Sequence, residues 1–180
     1  MHNGHLVAAR AVLEALSLDE VLFVPAGNQW QKTGQTTAVH RLEMTKLAVA
    51  GQPGFAVSSI DVDRDGATYT VDTIRLLAAQ NPDAKLFFIL GTDALAGLAS
   101  WREAETITEL AQFVVVTRPG SQLHIPAVAQ GRVWVLEIEA LNLSSTELRA
   151  KLAAGADVSG QIPEAVLRYI VEQNLYREVA

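Results

Sequence analysis

The sequence predicts an α/β protein, a doubly wound Rossmann-like parallel sheet with helices on both faces. Short β-branched or aromatic-rich apolar runs recur along the 180 residues. Segments of 3.6-residue apolar period separate them. The alternation opens on a helix, where a strand and its phosphate-side turn belong, so the sheet is expected to lack its usual first strand. One domain, residues 1–180, is expected from the length.

Taken in order, Leu6, Val7, Ala9, Val12, Leu13 and Leu16 share one helical face, and Leu18-Asp19-Glu20 leads into a strand over 21–24. The stretch 26–37, rich in Gly, Gln, Asn and Thr, is the longest irregular segment, of the kind that serves as a lid or binding loop. A helix over 39–50, a strand over 55–62 and a helix over 70–79 follow. A strand over 86–90, a helix over 104–111, and strands over 113–117 and 133–138 continue the pattern. Ser144 and Glu147 have capping-box spacing, the helix they open runs through Leu148 and Leu152, and Gly155 stands where a helix stops. Pro163 suits the first turn of a last helix whose Val166, Leu167, Ile170 and Val171 form one stripe.

Composition narrows the function. Hydrophobic residues are 49% and charged residues 19%, which excludes a disordered tail. There is no cysteine, so disulfides, thiolate metal sites and thiol catalysis are excluded. No apolar run reaches the roughly 20 residues of a membrane span, and the expected location is cytoplasmic. A net charge of −6 argues against a nucleic acid polymer as partner, while a small nucleotide needs only a local cluster of donors.

That cluster is offered from both ends of the chain. His2 and His5 flank Gly4 at a helix start, and residues three apart on a helix point the same way. Imidazole N–H groups donate to phosphate oxygens and stabilise charge developing in phosphoryl or nucleotidyl transfer. Alone, the pair reads first as solvated rings on a fraying terminus. Ser144, Ser145 and Thr146 open the later helix, with Arg149 one turn on. Backbone N–H groups, hydroxyls and a guanidinium converge there in a way suited to a β,γ-phosphate group. Alone, that motif is an ordinary capping box with a surface arginine. Together the two suggest a triphosphate site.

His2-Asn3-Gly4-His5 resembles the His-x-Gly-His signature of the nucleotidyltransferase superfamily, and Ser144-Ser145-Thr146-Glu147-Leu148-Arg149 its Ser-Ser-Thr-x-x-Arg partner. Phe23-Val24-Pro25-Ala26-Gly27, the run from Asp63 to Thr73, Gly91-Thr92-Asp93-Ala94-Leu95 and Val115-Val116-Thr117-Arg118-Pro119-Gly120 narrow the resemblance. With Gly27-Asn28-Gln29-Trp30-Gln31-Lys32, they are similar to bacterial nicotinate-nucleotide adenylyltransferases of actinobacterial type. The resemblance implies adenylyl transfer from ATP to nicotinate mononucleotide, giving nicotinate adenine dinucleotide and pyrophosphate, with Mg²⁺ accompanying ATP. It implies catalytic roles for His2, His5 and Arg149. ATP contacts are implied at Gly91, Asp93, Ser144, Ser145, Thr146 and Arg149. Mononucleotide contacts are implied at Lys32, Tyr69, Thr70, Trp101 and Arg118, with no metal ligand among the side chains.

By composition alone Trp101 reads equally as a core residue, Asp93 as a helix cap, Arg118 as a rim arginine and Lys32 as a solvated lysine. His40 and His124 read as surface or cap residues. Family members carry a glycine-rich turn, Gly-Gly-Thr/Ser-Phe-Asp-Pro, before His-x-Gly-His; here Met1 stands inside that motif, and the native start is expected upstream. Two alternatives follow: a weakly active or non-catalytic nucleotide-binding remnant, or another adenylyltransferase of the superfamily. Oligomeric state is open, a homo-oligomer included.

Overall fold

The computed structural model describes residues 1–28, 36–139 and 143–176. They fall into two compact units, residues 1–67 with 140–180, and residues 68–139.

In the first unit, helix α1 (Asn3–Ala15) leads into strand β1 (Val21–Phe23). Helix α2 (Ala38–Val49) and strand β2 (Phe55–Val57) follow, and β1 pairs with β2 in parallel, Val21 opposite Phe55 and Phe23 opposite Val57. The return from α1 is a tight cap with Ser17 in the left-handed region at φ 48°. Leu18 N–H donates to Leu13 O (2.9 Å) across it. The chain re-enters this unit through helices α6 (Ser145–Ala153) and α7 (Glu164–Glu172). The core therefore joins both ends of the sequence: Met44 and Ala48 of α2 pack with Leu148 of α6, Val158, Ile162, and Val166 and Ile170 of α7. Met1 and Leu6 lie against the same cluster.

The second unit is continuous. Helix α3 (Thr70–Gln80), strand β3 (Phe87–Gly91), helices α4 (Thr92–Ala96) and α5 (Ala104–Leu110), and strands β4 (Gln112–Thr117) and β5 (Val133–Glu137) follow one another. The three strands pair in parallel in the order β3-β4-β5. The central strand is buried on both faces, with Phe113, Val114 and Val115 at 0–1% exposure, as a parallel sheet covered on both sides requires. Phe113 and Val115 meet Val71, Ile74, Leu95, Leu98 and Ile107.

The α/β class and parallel pairing agree with the sequence reading, and the order of elements opens on a helix as expected. One strand is shorter than its pattern. The run 55–62 is extended only to Val57, because the Ser58 Oγ accepts from Ile60 N–H (3.2 Å) and Val62 N–H turns back to Ser59 O (2.8 Å). Local hydroxyl and turn bonds take the donors that a ladder would need.

Candidate functional site

The first motif is built by the start of α1. His2 is its N-cap in extended backbone (φ −137°, ψ 166°), and its side chain is buried, 7% exposed. Its ring stacks on that of His5, with centroids 3.7 Å apart and planes 24° apart. His2 N–H donates to His5 Nδ1 at 3.4 Å. Loss of hydration around the rings lowers both imidazoles to about 4; the Met1 amine adds to this at His2, and His2 and then the Met1 amine add to it at His5. His5 remains exposed, so water screens its share and the lowering is firmer at His2. Each ring is neutral at pH 7 and offers one N–H donor and one acceptor. His2 Nδ1 is a buried polar atom without a hydrogen-bond partner among the described residues.

The second motif opens α6. Ser144 is the N-cap, its Oγ accepting from Glu147 N–H at 3.5 Å. Ser145 and Thr146 occupy the first helical positions, and Arg149 Nη2 donates to Thr146 Oγ1 at 3.3 Å. The sequence separates the two motifs by more than a hundred residues, and the first unit joins them. Asn3 N–H donates to Gln161 O (3.0 Å) and Asn3 Nδ2 to Gly160 O (2.8 Å), fixing the start of α1 to the segment after α6. The Met1 amine is lowered by burial and then by the charge of Arg149, which acts on it through space. Neutral imidazole donors, a helix N-terminus and an arginine thus belong to one compact unit, a set of groups suited in chemistry to a polyphosphate.

The second unit holds the other expected contacts. Tyr69 is the N-cap of α3, with Thr70 its first residue and the Arg102 guanidinium 4.7 Å from the Tyr69 ring centroid. Trp101 is half-buried and meets Phe88 edge-on, 5.9 Å between centroids at 88°. It is therefore partly a core residue while keeping some of its surface exposed. Gly91 ends β3 and caps α4, so the cap is Gly91 rather than Asp93. A Cβ at Gly91 would meet nothing within 4 Å; this open space suits close approach of a ligand. Asp93 is exposed in the first turn of α4, and Arg118 is exposed directly after β4. Lys32, and with it 29–35 of the irregular stretch, lies outside the described residues.

Three further residues stand out in the structure. His40 is not merely a cap or surface group: its Nδ1 lies 2.8 Å from the Tyr169 hydroxyl in a hydrogen bond between α2 and α7. Thr68 Oγ1 is buried without a partner among the described residues. The Arg41 guanidinium donates to the carbonyls of Ala26 (2.7 Å), Gly27 and Thr36. Nothing local distinguishes Arg41 from a solvated helix arginine; only its surroundings do.

The cytidylyltransferase-like family model matches residues 1–151. A probable nicotinate-nucleotide adenylyltransferase of Leifsonia xyli is 49% identical over 180 residues, covering 100% of this chain and 90% of the relative. One of Streptomyces coelicolor is 49% identical over 179 residues, covering 98% of this chain and 95% of its own. Among solved structures, nicotinic acid mononucleotide adenylyltransferase of Plasmodium falciparum, complexed with NaAD, superposes with a TM-score of 0.80 at 19% identity. That match covers 98% of this chain and 91% of the other, and at that identity it speaks for the fold.

Proposed function

Because the chain belongs to the cytidylyltransferase-like family and, within it, to the nicotinate-nucleotide adenylyltransferases, we propose that its two anion-binding helix starts work as one polyphosphate site. The chain is a nucleotidyltransferase of NAD biosynthesis that transfers the adenylyl group of ATP to nicotinate mononucleotide. The observation that carries the site reading is the joining of His2 and His5 with Ser145, Thr146 and Arg149 in one unit.

In the reaction an oxygen of the mononucleotide phosphate attacks the α-phosphorus of ATP in line. The new P–O bond forms as the bond to the β-phosphate bridge breaks, and pyrophosphate leaves with the electron pair. No nucleophile needs activating, since the attacking phosphate is already ionised; the protein supplies position and charge stabilisation. His2 and His5, neutral and preorganised by stacking, donate N–H groups to non-bridging oxygens where charge builds. Ser145, Thr146, the N–H groups of α6 and Arg149 hold the β,γ-phosphates. Gly91 and Asp93 take the ATP nucleoside, and Tyr69, Thr70, Trp101, Arg118 and Lys32 take the mononucleotide. Trp101 stacks its ring on the flat pyridine.

Among the described residues no three His, Asp or Glu side chains gather as a metal site. A divalent cation, Mg²⁺ in our proposal, would accompany ATP and neutralise phosphate charge. No helix among the described residues is long and apolar enough to cross a membrane.

The test is pyrophosphate release from ATP with the acid or the amide mononucleotide. Release with the acid, and a clear preference for it, is expected. Preference for the amide would overturn the substrate, and ATP binding without turnover would support the remnant.

A further inference from the structure

Thr36, Arg41, Arg149 and Tyr176 line one small pocket in the first unit. We infer that Arg41 and Tyr176 complete, with Arg149, the seat of the terminal phosphate of the nucleoside triphosphate; this rests on the adenylyl-transfer reading above.

Charge is the first reason. Arg41 donates to three backbone carbonyls, of Ala26, Gly27 and Thr36. Carbonyls orient a guanidinium without cancelling its charge. No ion pair to Arg41 occurs among the described residues, and Arg149 is likewise bonded to a neutral group, the Thr146 hydroxyl. Two cations on one pocket repel each other, and the repulsion is larger where water is partly excluded. An anion between them turns that repulsion into attraction. Tyr176 lines the same pocket as both arginines, where its hydroxyl adds a neutral donor.

Unused donors are the second reason. Arg41 Nε is fully buried and has no partner among the described residues, and unpaired buried donors are rare in folded proteins. A guanidinium carries five N–H groups, and three are spent on carbonyls here. Those three bonds fix the plane of the group, so it is preorganised for an oxyanion.

Position is the third reason. Arg149 lines this pocket, and its charge is also felt at the Met1 amine just before the histidine turn. A triphosphate whose α-phosphate lies by His2 and His5 would have its other end available to the Arg41 side of Arg149.

The experiment measures dissociation constants by calorimetry for inorganic tripolyphosphate, ATP and AMP, on the wild-type chain, Arg41→Gln and Tyr176→Phe. Arg41→Gln is expected to weaken tripolyphosphate and ATP about tenfold, the loss of one charge-assisted contact, and to leave AMP within about twofold. Tyr176→Phe, which removes only a hydroxyl, is expected to weaken tripolyphosphate about threefold. Unchanged tripolyphosphate affinity in both variants overturns the inference, as does equal weakening of AMP, which would mark Arg41 as a purely structural clasp. If Arg41→Gln does not fold, Tyr176→Phe decides alone. Pyrophosphate release by the wild-type chain is assayed in parallel. Its absence would count against the adenylyl-transfer reading without touching the tripolyphosphate result, which requires no chemistry.

Discussion

The imidazoles of His2 and His5 lie face to face, 3.7 Å between ring centroids, at the first turn of α1. Charging either ring there means charging it against the other, with the Met1 amine close by.

Stability should therefore fall in mild acid. The buried His2 ring is lowered from 6.5 to about 4, so between those values the unfolded chain binds a proton that the folded chain refuses. The contribution is complete above pH 6.5, is lost progressively as the pH drops, and levels off below about 4. For His2 the loss between pH 7 and pH 5 is about 2 kcal/mol. Urea midpoints at the two pH values, compared with His2→Gln, check this: the variant should lose most of the slope, and an identical slope in both proteins would contradict the assignment.

His5→Ala should lower kcat about 100-fold with little change in ATP dissociation constant, the pattern of a donor whose contact strengthens in the transition state. Steady-state kinetics alongside ATP calorimetry separate this from a ground-state contact, for which affinity would fall as steeply as rate.

Trp101 meets Phe88 edge-on and remains only half-buried. Trp101→Ala is expected to raise KM for the mononucleotide about tenfold through lost stacking, and Trp101→Phe to recover part of it. An effect confined to ATP would remove Trp101 from the pyridine site.

Gly155 sits just past α6 at φ 67°. Gly155 N–H donates to Leu152 O (3.1 Å) and Ala156 N–H to Lys151 O (2.8 Å), the paired closure of a Schellman cap. A Cβ there would meet nothing within 4 Å. Gly155→Ala should therefore cost about 1 kcal/mol from backbone conformation alone, read from denaturant midpoints.

Phe113 is fully buried at the centre of its sheet. Phe113→Ala should cost about 3–5 kcal/mol through lost burial and the cavity left behind, a loss that thermal and urea unfolding would both register.

Helix starts and stops were legible because their chemistry is local: Ser144 with Glu147, Pro163, and Gly155 announce themselves within a few residues. The His2–His5 and Ser144–Arg149 motifs were legible for the same reason. The helix α4 was not assigned, since five residues are too few to display a period. Ser17 and Asn174, which close α1 and α7 at positive φ, give a weaker signal than glycine would. Arg41 was invisible because its meaning lies in carbonyls five to fifteen positions upstream, and in Tyr176 far downstream. Contacts that close through space leave no periodic trace in sequence.

The division of the chain has a temporal side. Residues 68–139 are contiguous, so during synthesis they have all their own core partners once residue 139 has emerged. The other unit must wait for α7, because Val166 and Ile170 close the cluster around Met44 and Ala48. Arg41 is thus translated long before Arg149 and Tyr176, and the pocket they line comes into being only as the last helix docks. A nascent chain halted before α7 would carry the contiguous unit with all its own core partners and the other unit still unclosed.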